Sequence, residues 1–234
     1  MSETLNARLT DVRERIRRAE ALYHRSPGSV RLIAVSKTHP VAVIRAAAAL
    51  GQTAFGENYV QEALEKMAEL NDSRIEWHFI GHLQRNKTRE VAASFDWIHT
   101  VDRAQIARRL HDQRPAGMRP LDVCIQVNLQ GEATKSGVRP SEAQGLAETV
   151  AALPRLRLRG LMMIPALEPD FAAQRRVFHR LRELLEELNR KGFQVDVLSM
   201  GMTDDMEAAI AEGATHVRIG TAIFGPRLRR MYVR

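Results

Sequence analysis

The sequence predicts an α/β fold: a single (β/α)8 TIM-type barrel with an extra N-terminal helix. Three observations carry this reading. Short apolar runs alternate strictly with helical segments, there are eight such runs, and 234 residues suit eight strand–helix units. Strict alternation calls for parallel pairing through right-handed crossovers. An open doubly wound sheet is the alternative, but no GxGxxG follows the first run. No linker, low-complexity tract or composition shift divides the chain, so 1–234 reads as one domain.

The elements follow in order. Leu5, Leu9, Val12, Ile16, Ala19 and Tyr23 recur every three or four residues, which predicts a helix over 3–25 that ends at SPGS. Candidate strands then fall at 31–36, 53–55, 76–80, 97–101, 121–128, 158–164, 195–200 and 216–220. Helical patterns lie near 40–50, 58–70, 84–93, 102–112, 141–153, 171–190 and 203–212. Pro40, Ser141 with Gln144 three residues on, and the TDD at 203–205 mark helix starts.

Barrel chemistry sits where strands end. RLIAVSKTHP raises the sharpest question: a lysine, Lys37, closes an apolar run in phase with Ile33 and Val35. An inward ammonium there would sit in a partly apolar place, where burial favours the neutral, nucleophilic amine. A snorkelling surface lysine is the plainer reading. The loops after strands seven and eight, SMGMTDD and RIGTAIFG, offer Ser199, Gly201, Gly220 and Thr221 as hydroxyls and open backbone N–H groups for a phosphate. A strand-end lysine beside a phosphate cup suits a phosphorylated aldehyde, either pyridoxal 5′-phosphate or a sugar phosphate in a Schiff-base aldolase. Arg218, in phase with His216 and Gly220, could face a pyridine nitrogen or make a structural ion pair. Asp204 and Asp205 read as helix-start acids. Met162, Met163, Met200 and Met202 read as lumen packing. His78 and His82 span a strand end and a loop and form no zinc pair, so no metal is expected. Lys87 and Lys135 read as loop lysines rather than a second site.

Composition excludes other classes. The net charge of +7 comes from 35 basic residues, of which only five are lysines. The arginines are spread over most helices and alternate with glutamates, as in HRLRELLEELNRK. With no basic stripe interleaved with aromatics, a nucleic-acid partner is not expected. Cys124 stands alone inside LDVCIQVNL and reads as a small core residue; one cysteine allows no internal disulfide. The charged N-terminus and the lack of any 18-residue apolar stretch predict a soluble, cytoplasmic protein with no membrane partner. It is expected to be a monomer.

The segments AVSKTHP, FGENYVQE, WHFIGHLQRNK, KSGV, RGLMMIP, LSMGMTDDMEAAI and VRIGTAIFG, in that order, closely resemble the pyridoxal-phosphate homeostasis protein family. These are small, single-domain relatives of the alanine racemase N-terminal barrel. The resemblance covers roughly residues 5–226, with His82 at a variable position of the family's GxLQxNK pattern. It implies a (β/α)8 barrel with pyridoxal phosphate held as a Schiff base on Lys37. It further implies that Ser199, Gly220 and Thr221 hold the phosphate, with Gly201 in the same cup, and that Arg218 meets the pyridine nitrogen. Asn58, His78 and Ile164 would lie around the ring. The implied role is to carry and buffer the cofactor, with apo pyridoxal-phosphate enzymes as partners and effects on amino-acid and keto-acid balance. No catalytic residue is implied. The alternative is a weak alanine-racemase-like enzyme. Racemisation needs a proton partner on each face of the α-carbon. Alanine racemases take one from a tyrosine of a C-terminal β domain, for which this sequence leaves no room after strand eight. Of Tyr23, Tyr59 and Tyr232, only Tyr59 is expected near the rim.

Overall fold

Each of the eight predicted runs forms a strand, and together they close into one parallel barrel in chain order. Pairing of the first strand with the eighth, Arg31 opposite His216 through Ala34 opposite Ile219, completes the ring. The structure is a computed structural model and describes residues 2–131, 136–166 and 168–226.

The chain runs α1 (Ser2–Leu22), β1 (Arg31–Val35), α2 (Val41–Ala49), β2 (Ala54–Glu57), α3 (Val60–Leu70) and β3 (Glu76–Phe79). A 3-10 turn (Arg85–Lys87) then leads into α4 (Thr88–Ser94), β4 (Trp97–Val101), α5 (Ala104–Gln113), β5 (Leu121–Gln126) and α6 (Pro140–Ala151). It closes with β6 (Leu156–Met162), α7 (Phe171–Arg190), β7 (Val197–Ser199), α8 (Met206–Ala211), β8 (His216–Ile219) and α9 (Thr221–Phe224). Most predicted boundaries shift by one to three residues, and three of the shifts have a visible local cause or partner. Val127 and Asn128 leave the barrel ladder, with Val127 bridging Val138 instead. The helix expected over 84–93 opens as the 3-10 turn. The helix expected from 203 begins at Met206, because the Asp205 carboxylate takes the Met202 N–H at 2.5 Å and closes a turn ahead of it.

Period-two alternation sends side chains to two places. Leu32, Ala34, Phe55, Trp77, Phe79, Leu198, Val217 and Ile219 face outward and pack under the helices. Trp97, Cys124, Met162 and Val197 form a smaller apolar cluster apart from that shell. Of the methionines expected in the lumen, only Met162 belongs to this cluster; Met163 and Met200 join the outer core. Helix α1 buries Leu9, Val12 and Ile16 against α8 and α9. Each such side chain stabilises by about 1.5–3 kcal/mol. Arg15, at the edge of that face, grips Glu207 of α8 at 2.8 Å.

The arginine-rich composition serves the structure. Asp122, 1% exposed, takes both Arg157 nitrogens. Arg159 pairs with Asp196 at 2.8 Å and lies 4.9 Å over the Trp97 ring. Buried Arg114 donates to the carbonyls of Ala92, Phe95 and Arg119. The planar guanidinium fork suits such multidentate roles, which an ammonium cannot fill.

Cys124 is fully enclosed, and burial pushes its thiol far above its ordinary range. The native protein is therefore expected to ignore a thiol-specific disulfide reagent and to titrate one thiol only when unfolded. Rapid native reaction would show that the barrel opens.

No helix among the described residues is long and apolar enough to cross a membrane.

Candidate functional site

Lys37 stands on the turn that leaves β1 and is half-buried. The next residue, Thr38, has φ = +67°, a left-handed conformation that a β-branched residue avoids. Such strain costs about 1–3 kcal/mol and persists only where the surroundings impose it. Here they do. Glu62 on α3 accepts the Thr38 N–H at 2.5 Å, and Lys66, one helical turn on, bonds the same carboxylate at 2.6 Å. Lys66 Nζ also donates to the Ser36 carbonyl at 2.8 Å and to Glu57 Oε1 at 2.7 Å, while Ser36 Oγ donates to Glu57 Oε1 at 2.6 Å. Ser36, Glu57 and Lys66 are all buried. Burial drives the Glu57 carboxyl upward, and the Lys66 cation opposes that shift. A buried ionic network thus clamps the residues on either side of Lys37.

The other loops meet this turn. A Cβ on Gly220 would lie 3.3 Å from the Val35 carbonyl, so the β8 loop lies hard against the end of β1. The His39 and Phe224 rings touch at 5.1 Å across the same seam. Gly220 caps the one-turn helix α9, with Thr221 exposed at its start. Gly201 accepts the Arg218 N–H at 2.9 Å and has φ = +97°, a conformation open to glycine. Beyond β2, a Cβ on Gly81 would fall 2.2 Å from the Asn58 carbonyl, so only glycine lets the β2 and β3 loops touch. Asn58 and Ile164 line a cleft of about 190 Å³ with Gly81, Thr100, Gln126 and Ser136. Asn58 Oδ1 is buried there without a partner, an orphaned acceptor that a ligand could satisfy.

The lumen beneath holds Ser199 and His78, each 0% exposed. Both are enclosed by neighbouring polar and aromatic side chains. The Ser199 hydroxyl is engaged by Arg218 Nη1 at 2.8 Å and lies 2.8 Å from His99 Nδ1. His78 Nδ1 lies 2.9 Å from His99 Nε2, and the His78 ring stacks on Trp97 at 5.6 Å. His78 Nε2 is 2.8 Å from Glu76 Oε1, close but poorly aligned, so neither atom has a straight hydrogen bond. Glu76 in turn pairs with Arg31 at the barrel floor.

Arg218 is buried and donates its other terminal nitrogen to the Met163 carbonyl at 2.8 Å. It has no carboxylate within ion-pair distance among the described residues, so the structural ion pair considered from sequence is not formed. Burial lowers its pKa to about 10, which leaves it charged at neutral pH.

Three imidazoles are therefore held neutral. Burial lowers His78 against the opposing pull of Glu76, lowers His99 with His78, His216 and Arg218 adding to the effect, and brings His216 to about 3. In the unfolded chain each would titrate near 6.5. The unfolded state binds more protons below that value, so this contribution is whole above pH 6.5 and is lost as pH falls. Stability should decline by up to about 1.4 kcal/mol per pH unit for each histidine. Denaturant midpoints from pH 8 to 5 test this, and a flat profile would contradict it.

Sequence reasoning missed Glu57, Lys66 and His99. Lys66 carried a signal. It falls on the stripe of Val60 and Ala63, the buried face of α3, in a chain with few lysines. His99 carried none, since an inward histidine in WIHTV looks like any strand residue. Lys135 lies outside the described residues. Lys87 pairs with Glu90 at 3.2 Å, as a loop lysine would.

Residues 8–227 match the family described as alanine racemase, N-terminal domain. The chain is 57% identical to the pyridoxal phosphate homeostasis protein of Pseudomonas aeruginosa, with 96% of each covered. It is 52% identical to that of Escherichia coli, with 94% of this chain and 95% of the other covered. The solved structure of PipY from Synechococcus elongatus with PLP bound is similar at 39% identity. Its TM-score is 0.84, and 94% of this chain and all of the other are covered. An alanine racemase of Clostridium difficile is similar in fold alone, at 13% identity and a TM-score of 0.75 over 57% of that chain.

Proposed function

Because the chain belongs to the pyridoxal phosphate homeostasis protein family, we propose that it binds pyridoxal 5′-phosphate at the C-terminal rim of its barrel. It holds the cofactor for other proteins rather than catalysing a reaction on it. The observation that carries this reading is Lys37 on a strained, ionically clamped turn against the Gly220 loop. Lys37 would hold the cofactor by its amine, as a Schiff base with the aldehyde, one C=N bond replacing the carbonyl with loss of one water. Gly201, Gly220 and Thr221 face the phosphate with backbone N–H groups and a hydroxyl. Arg218 meets the ring nitrogen, and Asn58 and Ile164 flank the ring. Ser199 adds to the phosphate side of the site, and His78 lies toward the ring from within the lumen.

The cofactor, once bound, supplies an electron sink. Arg218 blunts it: a permanently charged donor disfavours protonation of the ring nitrogen. Among the described residues, Tyr59 is the one tyrosine beside a strand-end loop, and it is 56% exposed. An exposed phenol is a poor proton partner for an α-carbon. A buffering role in a single barrel domain, with apo pyridoxal-phosphate enzymes as recipients in the cytoplasm and an influence on amino-acid and keto-acid balance, fits better than a weak racemase.

Peptide mapping after borohydride reduction tests the reading, since reduction fixes an imine as a stable amine. A pyridoxyl group on Lys37 is expected. An unmodified Lys37 after incubation with pyridoxal phosphate would overturn it.

A further inference from the structure

One line of hydrogen-bonding groups runs down the barrel axis from Arg218 at the rim to Glu76 at the floor, through Ser199, His99 and His78. Its polarity follows from its two ends. A guanidinium can only donate, so the Arg218 Nη1–H is given to Ser199 Oγ. The Glu76 carboxylate can only accept, so the His78 nitrogen facing it carries the proton and His78 Nδ1 accepts from His99, which leaves His99 Nδ1 to accept the one Ser199 proton. With Nδ1 accepting, neutral His99 carries its proton on Nε2 and donates to His78 Nδ1. His78 in turn carries its proton on Nε2, 2.8 Å from the Glu76 carboxylate, where the acid ends the line through charge rather than through a straight hydrogen bond. Each of the three hydrogen-bonded contacts above it then has one donor and one acceptor.

We propose that His99, acting through Ser199, is a positioning residue that fixes the Arg218 guanidinium, with His99 and His78 both locked as Nε2–H tautomers. Arg218 needs such a support. It is buried among the described residues without a carboxylate partner, and its two terminal nitrogens are anchored only by the Ser199 hydroxyl and the Met163 carbonyl. A Ser199 hydroxyl free to rotate would present either its lone pairs or its proton to Arg218. His99 Nδ1 captures the proton and leaves the lone pairs facing the arginine. The charged groups around the line are Arg31 on β1, Glu76 on β3, Asp96 before β4, Arg159 on β6 and Asp205 ahead of α8, with the neutral His216 of β8 beside them. Trp97 walls the line on one side.

The consequence for ligand binding rests on the reading of Arg218 as the partner of the cofactor's ring nitrogen; the tautomers do not. Two measurements separate them. Imidazole nitrogen NMR of the unliganded full chain at pH 8 should show His99 and His78 as neutral Nε2–H tautomers. An Nδ1–H tautomer or an imidazolium at either position overturns the line. His99→Leu removes the acceptor, whereas His99→Asn places Oδ1 near the position of Nδ1. Distinct Arg218 Nη resonances are expected in the wild type and His99→Asn, and averaged ones in His99→Leu. The dissociation constant for pyridoxal phosphate should rise about tenfold in His99→Leu and stay within about threefold in His99→Asn. A general loss of packing would weaken both variants alike and leave Arg218 unchanged, which would overturn the positioning role. A wild-type chain that fails to bind pyridoxal phosphate sinks the functional reading, while the NMR arms still decide the line.

Discussion

Lys37→Ala abolishes the borohydride-trapped pyridoxyl adduct at the β1 rim and leaves the barrel folded. The reason is local. Lys37 lies two residues beyond Val35, the last ladder residue of β1, and its side chain is not part of the strand–helix core. The clamp that shapes its turn uses the Ser36 carbonyl, the Thr38 N–H and the Glu57, Glu62 and Lys66 side chains, all of which survive the substitution. Removing a half-buried side chain from the rim should change stability by no more than about 1 kcal/mol. Mass mapping of reduced wild type and variant, alongside their urea midpoints, checks both halves. Cooperative unfolding lost in the variant would make Lys37 a structural residue. A labelled Lys37 in the wild type with undiminished labelling at another lysine of the variant would show that the rim binds the aldehyde without needing this amine.

The barrel was legible because its signal is repeated. Eight apolar runs with helices between them leave few ways to close a sheet, and an error of two residues at one strand end does not change the count. Lys37 was legible because a lysine ending a buried strand breaks the local pattern. What escaped the sequence depends on depth and partners. Ser199 stood out because it ends a strand before a glycine-rich loop, but its depth was hidden: β7 is only three residues long and Ser199 pairs across to His216, low on β8. Position along a strand gives the face a side chain takes, and the barrel's stagger sets how deep it lies. The partners of Glu57 and Lys66 are nine residues apart on a strand and a helix, and only the folded α3 brings them to 2.7 Å.

The Glu57–Lys66 pair yields the second large effect. Lys66→Met should destabilise the chain by about 3–5 kcal/mol near pH 8, because it leaves a buried carboxylate without its cation. Glu57 is 0% exposed, Lys66 is 4% exposed, and Glu57 Oε2 already lacks any partner. Replacing both residues, as Lys66→Met with Glu57→Gln, should cost less than the single change, since no charge is then stranded. The pH dependence has a definite sign. Burial raises the folded-state pKa of Glu57, and Lys66 is the main influence holding it down. Without Lys66 it rises further above the unfolded value. The folded variant then binds a proton that the unfolded chain does not, so stability is recovered as pH falls and lost as pH rises through the folded pKa. The gap between wild type and Lys66→Met should therefore narrow from pH 8 toward pH 5. The buried histidines lower both proteins together over that range, so the difference between the two midpoints is the quantity to follow. A gap below about 1 kcal/mol, or one constant with pH, would mean that Glu57 is already protonated beside Lys66. The same variant also tests the link to the rim. Lys66 supports the Ser36 carbonyl and shares Glu62 with the Thr38 N–H. Removing it should release the strain at Thr38 and slow trapping of pyridoxal phosphate on Lys37, even at a pH where the protein stays folded.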